Sequence, residues 1–503
     1  MSRINTNVQS LIAQRNLGTQ NTSLNTSLER LSTGLRINRG ADDPAGLIAS
    51  EALRSEQAKI TAAIGNAERA DQVVNIAEGG LQEISSLLLE VQSLVGQSAN
   101  DAGLSKDEKE ANQLQIDSIL QTIDRISQST SFQGTKLLNG TYDFTVSSQA
   151  SSVTDFTINA AKLSPTENRQ VDILVNTSAQ YGGLFLSTDG ALDLTATSSS
   201  FTFEVNGALG SREFTFTSGT ALADITSEVN KFTEVTGVSA VASGSGIVFK
   251  SDTLGSDQFV EIDIVDDGGQ AGTVFNLSAT NNNESQTTGG VTLATLESSN
   301  AIRDDGQDLG ATVNGVAATA RGNILRVNSD FLDLQATLTV SGAQTLGDLN
   351  AAGALTITGG GAQFNIGPNV DIINQATIGI KNVASRNLGS VQNGFLSDLA
   401  NGESSNVVDG NLNQAQKIVD DAIAQIASLR GRLGAFQKNT LGATINNLGV
   451  AFENTSAAES SIRDTDFAAE TAELTRAQIL QQAATSSLAI ANSQPSAVLS
   501  LLG

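Results

Sequence analysis

The sequence predicts a mixed fold. A long α-helical coiled-coil or bundle core is made by the N- and C-terminal flanks, with β-rich (α+β) surface domains inserted between them. Three observations carry this reading. An apolar ladder with seven-residue spacing runs through residues 53–95, which is the period of a coiled-coil seam. Apolar residues in the middle of the chain alternate with polar ones, the period of a half-buried strand. Glycine is concentrated there too: residues 141–400 hold 29 of the 47 glycines, so turns crowd the centre and are sparse in the flanks.

The first element begins at Asp43-Pro44. Asp caps a helix N-terminus well, and Pro suits the first helical position because its missing N–H would be unpaired there. Leu53, Ile60, Ala67, Val74, Leu81, Leu88 and Val95 form the ladder, with a second row that includes Ile84 and Val91. A helix from Pro44 to Asn100 would be roughly 85 Å long at 1.5 Å per residue and needs partner helices. A segment at 106–129, with Ile116, Ile119, Ile123 and Ile126, supplies one. Val419, Ala422, Ile426, Leu429, Leu433 and Phe436 supply another, so the three can form a rod-like antiparallel bundle.

The chain ends carry their own stripes: Leu17, Leu24, Leu28, Leu31 and Leu35 at one end, Leu474, Ala477, Ala484, Leu488 and Ala491 at the other. Such stripes seek each other or a second subunit. Between the flanks, strands are expected at Tyr142–Val146, Phe201–Val205, Phe214–Phe216, Val260–Ile264 and Leu334–Val340. A short helix carries Leu222, Ile225, Val229 and Phe232, making residues 201–265 a compact insert and 311–358 a degenerate second one.

Composition excludes much chemistry. The chain of 503 residues holds 28 basic and 53 acidic residues, a net charge of −25, and no His, Cys or Trp. That charge opposes nucleic-acid binding and adsorption on anionic membranes. Without His or Cys there is no Ser–His triad, thiolate nucleophile or Cys-ligated zinc. The reading is therefore no enzyme, no catalytic residues, no cofactor and no metal. Asp263–Gly269 offers carboxylates around a glycine turn but lacks a calcium-loop pattern, and reads as a solvated hairpin turn. Gly359-Gly360-Gly361 lacks a following Lys-Ser/Thr, so no phosphate loop is expected. No run of 18 apolar residues suggests membrane insertion, and Met1–Val8 leads into no apolar signal core.

The flanking motifs resemble those of bacterial flagellins. They are Ile4-Asn5-Thr6-Asn7-Val8, Leu28–Asn38, Gly40–Leu47, Ser131–Gly140, Arg430–Gln437, Glu470–Leu474, Ile479–Ala483 and Val498–Leu502, in family order over about residues 1–175 and 400–503. Residues 201–265 resemble an insert motif of flagellins and hook-associated proteins. The zinc peptidase that some flagellins carry in the centre is excluded by the absence of His. The resemblance implies an extracellular filament subunit of the bacterial flagellum, exported unfolded through the type III apparatus without a cleaved signal. The implied divisions are 1–42 (N-terminal inner core), 43–175 (outer-core helices and β-hairpin), 176–399 (surface domains), 400–455 (return helix) and 456–503 (C-terminal inner core).

Implied partners are further copies of the chain, an export chaperone at the C-terminal helix, and the filament cap and hook-associated proteins. The implied subunit-interface residues are Leu17, Leu24, Leu28, Leu31, Leu35, Leu474, Leu488, Val498, Leu499, Leu501 and Leu502. A flagellin-sensing Toll-like receptor is a further, weak partner. Its family motif Gln-Arg-Val-Arg-Glu-Leu falls on Leu89, Glu90, Val91, Gln92, Ser93 and Leu94, so both arginines are replaced. The alternatives are a hook–filament junction protein of the same superfamily, or a secreted glycan-binding or hydrolytic surface protein. The Arg430–Gln437 stretch and the closing residues favour a flagellin over the first, and the absence of Trp to stack sugars disfavours the second.

Overall fold

The computed structural model describes residues 6–100, 102–163, 168–188, 190–194, 200–277, 287–298, 301–349 and 353–499. Its helices are α1 (Val8–Thr33), α2 (Pro44–Ser98), α3 (Lys106–Ser129), α4 (Leu222–Asn230), α5 (Thr233–Thr236), α6 (Leu293–Glu297), α7 (Val340–Gln344), α8 (Leu412–Ala435), α9 (Ala443–Arg463) and α10 (Phe467–Leu499). Long helices occupy the flanks and strands fill the centre, as the sequence predicts. No described helix is long and apolar enough to cross a membrane.

The chain divides into two compact units. One holds residues 1–72, 365–374 and 437–503; the other holds 73–364 and 375–436. The division falls inside α2 and inside the π-helical segment Phe436–Gly442 that follows α8.

In the larger unit, α2, α3 and α8 bury one continuous core. Val74, Leu81, Ile84, Leu88 and Val95 from α2 meet Ile116 and Ile123 from α3 and Ile426, Leu429 and Leu433 from α8. Phe436 packs partly buried at its edge, 6.3 Å from the Phe364 ring. The start of α3 is fixed by a capping box in which Ser105 and Glu108 satisfy each other's backbone N–H. The ladder does not serve one bundle throughout, however. Ile60 belongs to the smaller unit, where it clusters with Leu448 of α9, and Leu53 is only half-buried. An untwisted helix drifts about 20° per heptad from a strict seven-residue repeat, so a long ladder can turn toward different neighbours along its length. At the head of α2, Asp43 Oδ1 accepts from Gly46 N at 2.9 Å, the expected cap.

The centre forms two antiparallel modules. The outer one, residues 183–305, stacks the sheet ordered Ile302–Asp305, Phe259–Asp266, Ser200–Gly207, Ser211–Thr217 against a five-stranded sheet through Gly183–Ser187. Phe201, Phe203, Phe249 and Ile262 fill the space between them. Residues 201–265 are thus not a self-contained insert. Strands Gly183–Ser187, Thr273–Leu277, Thr287–Thr292 and Ile302–Asp305 complete its sheets, because each insert strand needs a partner on its open edge.

The inner module joins Phe144–Ser147, Val153–Ala161, Arg169–Val171 and Ile173–Thr177 to strands between Gly310 and Gly360. Leu332–Leu338, for example, pairs with Val153–Ala161. The boundary expected at 175/176 therefore cuts through sheets, and residues 311–358 are half of a module rather than a second insert. The strand expected through Val340 stops at Leu338, since Thr339 caps the short α7 by accepting from Gly342 N. The expected surface region also contributes to the helical core, through Ile378, Ile380, Val383, Leu396 and Leu399.

The outer module enters and leaves at one place. Gln180 N donates to Gln307 O at 2.8 Å and Gln307 N to Gln180 O at 3.0 Å, closing the module like a drawstring. Gly182 and Gly306 lie in the same crossing: a Cβ on Gly306 would sit 2.8 Å from Gln180 O. Asp308 pins the neighbouring loops by accepting from Ser256 N (3.0 Å) and Gly322 N (2.7 Å). Burial pushes its carboxyl up, but these hydrogen bonds prevail and hold it below the usual aspartate range. Among the described buried residues, Leu254 alone of this module clusters with the inner core.

Excising residues 183–305 and joining the ends through a short Gly-Ser turn should leave the remainder folded. Denaturant unfolding followed by circular dichroism would retain a cooperative helical transition; its loss would show that the module shares the core.

Candidate functional site: the paired terminal helices

Helix α1 ends at Gly34, whose φ of 74° is left-handed and whose N–H returns to Arg30 O. Helix α10 starts where Asp466 accepts from Ala468 N and Ala469 N. The two helices pack antiparallel, with a register set by polar contacts. Asn7 Nδ2 donates to Ala491 O at 2.7 Å, Gln481 Nε2 to Asn21 Oδ1 at 2.8 Å, and Arg30 lies 3.6 Å from Glu470.

That register places residues 10, 13, 17, 20, 24, 27 and 31 opposite 491, 488, 484, 481, 477, 474 and 470. All of them are buried or half-buried. Both series step by three and four, as a coiled-coil seam requires. Most apolar layers match a large side chain with a small one: Ala13 with Leu488, Leu17 with Ala484, Leu24 with Ala477, Ser27 with Leu474. Gln20 and Gln481 form a polar layer at the centre. A polar seam position costs stability but specifies register.

The leucine stripes predicted from sequence are thus only partly the seam. Leu17, Leu24, Leu31, Leu474 and Leu488 are half-buried between the two helices of the same chain. Leu28 is off the seam and 48% exposed. Leu35 lies beyond the Gly34 cap, half-buried beside its bridge to Asp464. Leu501 and Leu502 lie outside the described residues, as do the side chains of Val498 and Leu499. Sequence reading missed Ser10, Ala13, Gln20 and Ser27 because it tracked leucine; their three–four spacing was the available signal.

With that seam satisfied, a second apolar set stays uncovered. Leu11, Leu28, Ile479 and Ile490 are 57%, 48%, 64% and 65% exposed.

The segment 89–94 lies on α2 in the larger unit. Leu89 is exposed, and Glu90 accepts from Gln115 Nε2 of α3 at 2.7 Å. Gln92 donates to Asp420 of α8 at 2.7 Å. Val91 and Leu94, the apolar positions of the motif, are buried in the three-helix core.

A cavity of about 340 Å³ is lined by Asp143, Asp155, Lys381 and Arg386 with Phe144 and Phe156. Burial raises the Asp143 carboxyl and lowers the Lys381 ammonium, while their mutual attraction opposes both shifts. Nearby, Arg432 of α8 donates to Asn159, tying the helical core to the inner module. Asp266, Asp267 and Glu297 form an acidic cluster. The turn at Asp263–Gly269 is not a hairpin, because the strands on either side of it belong to different sheets; Asp266 and Asp267 instead cap Gly268 N and Gly269 N.

The bacterial flagellin N-terminal helical region matches residues 4–143, and the C-terminal helical region matches 416–502. The flagellin hook IN motif matches 200–253. The B-type flagellin of Pseudomonas aeruginosa is 32% identical over 550 aligned residues, covering 99% of each chain. The chain belongs to the bacterial flagellin family. Flagellins of Salmonella typhimurium (28% identical) and Helicobacter pylori (flagellin B, 29%) likewise align over 99% of both partners. Solved domains of the Escherichia coli cap protein FliD share 18% identity and a TM-score of 0.25, over 48% of this flagellin and 63% of that chain. This flagellin is accordingly a structural protein of the extracellular flagellar filament.

The size-matched seam has a direct test. Ala484→Leu should crowd Leu17 and lower the stability of the helix pair by about 1–3 kcal/mol. Adding Leu17→Ala should restore most of it, read by thermal melting at 222 nm. Equal melting of the single and double variants would place these residues in different layers.

Proposed function

We propose that this flagellin polymerises through the second apolar set of its terminal helices. The observation that carries the proposal is that Leu11, Leu28, Ile479 and Ile490 remain exposed after α1 and α10 have satisfied each other. A neighbouring copy covering this face would bury apolar area in a contact between two different surfaces. A heterologous contact that does not close builds an open helix of subunits, as a filament for swimming motility requires. The marginal, small-residue seam suits a pair whose helices gain much of their stability on assembly.

The export route belongs to the same reading. The absence of cysteine suits a chain that passes unfolded through the type III apparatus, because no disulfide has to form or break. The exposed face of α10 offers an export chaperone an apolar helix surface, and the filament cap and hook-associated proteins would meet the same terminal helices.

Changing Leu28 and Ile479 together to Asp should abolish filament growth on added seeds while leaving monomer helicity within a few per cent of wild type. Sedimentation and circular dichroism would check this; normal filament yield would exclude this face as the assembly surface.

Recognition by a flagellin-sensing Toll-like receptor should be weak. Glu90 offers no donor where an arginine fork would form a hot-spot contact, and it is already engaged by Gln115. Glu90→Arg with Gln92→Arg should raise potency in a reporter-cell assay by roughly tenfold or more. Full potency of the unaltered chain would overturn this expectation.

A further inference from the structure

Five Asn-Gly pairs occur in the sequence, at Asn139, Asn206, Asn314, Asn393 and Asn401. Glycine after asparagine leaves the following backbone nitrogen unshielded, so this dipeptide is where an asparagine amide can be attacked by its own chain. The structure distinguishes the five. Asn139 Oδ1 accepts from Thr141 N and Thr141 Oγ1. Asn206 Nδ2 donates to Glu261, and the N–H of Gly207 is held by Gly210 O. Asn314 uses both ends of its amide, accepting from Asp172 N and donating to Gln170 O. Asn393 Nδ2 donates to Asp421.

Asn401 differs. Its backbone N–H donates to Asp117 Oδ1 at 3.0 Å, which anchors the residue, but its exposed side-chain amide makes no hydrogen bond in the structure. Gly402 has a left-handed φ of 87°, and open space surrounds it: nothing lies within 4 Å of where a Cβ would be. At Gly140, Gly207 and Gly394 the same space is taken by Asn382, Thr236 and Asp398.

We propose that Asn401 is a site of spontaneous deamidation that marks the age of the chain. The Gly402 nitrogen, losing its proton to base, attacks Asn401 Cγ. The Cγ–Nδ2 bond breaks, ammonia leaves, and a five-membered succinimide forms. Water then opens the ring at either carbonyl, giving aspartate or isoaspartate; the sum is amide plus water to carboxylate plus ammonium.

The consequence is local and falls on a segment the helical core uses. The loop from Leu399 to Asn411 is held on α3 by Gln113, whose Nε2 donates to Leu399 O and whose Oε1 accepts from Val407 N. Next to Asn401, Glu403 N returns to Ala400 O at 3.0 Å and Ser405 N to Asp398 O at 3.1 Å. Isoaspartate adds a methylene to the main chain between these anchors, and either product sets a new carboxylate beside Asp117 and Glu403. The loop leading to the Asn411 cap of α8 is loosened as a result.

The full chain is incubated in mildly alkaline and in mildly acidic buffer, folded and in concentrated urea, then digested and mapped by mass spectrometry. Isoaspartate is scored by methyl transfer from an isoaspartyl methyltransferase. In the folded chain the gain of about 1 Da should appear first on the Asn401 peptide, at least roughly tenfold faster than at the other four pairs, and faster in the alkaline buffer. In urea the five rates should converge to within about threefold, since the distinction is made by structure. Asn401→Gln should remove the early ammonia release while leaving the circular dichroism spectrum unchanged. Earlier or equal modification at another pair in the folded chain would overturn the proposal. So would no modification at Asn401 under conditions where the urea sample reacts, or undiminished early ammonia release from the variant.

Discussion

The fold depends on one constraint: a long apolar ladder on a single helix cannot cover itself. Helix α2 runs for 55 residues, roughly 80 Å, and within the larger unit its inward row extends from Val74 to Val95. Helix α3 follows at once through a short connection, but a two-helix contact leaves part of the row in water. The third partner, α8, lies more than 280 residues further along the sequence. Closing so large a loop costs little more than closing a moderate one, because loop entropy grows only with the logarithm of length. The chain can therefore hold two strand-rich modules between α3 and α8 without forfeiting the helical core.

Those modules solve the opposite problem. A strand-rich insertion must bring its two ends together, or it would pull the helices apart. The outer module does this at the Gln180–Gln307 bridge, where each residue donates to the other. Glycine at 182 and 306 is required there because a Cβ on either would collide with backbone. Asp308 and the Arg432–Asn159 contact then join outer module to inner module and inner module to α8, through polar groups satisfied within the protein.

At the chain ends the same physics is tuned to a different result. The α1–α10 seam alternates leucine with alanine or serine and carries glutamine at its centre, so it specifies register while burying little apolar area. The α2–α3–α8 core, by contrast, buries Leu81, Ile84, Leu88 and Leu433 completely. One packing buries its large side chains completely; the other leaves apolar side chains in water.

By itself the sequence determined the long flank helices, the cap at Asp43, the strand-rich centre and the absence of thiol or imidazole chemistry. These follow from periodicity, capping preferences and composition, which act over a few residues and can be read along one chain. The family motifs were legible for the same reason. Which residues share a layer was decided only by tertiary structure. Leu28 and Leu24 are equally apolar, yet one is exposed and the other lies in the seam, because a heptad offset is fixed by contacts with a helix more than 430 residues away. Val91 and Leu94 likewise face inward because α3 and α8 occupy that side of α2. The true limits of the modules, beginning at Phe144 rather than after residue 175, depend on strand pairing between segments some 200 residues apart, and no local pattern encodes which distant edge a strand will meet.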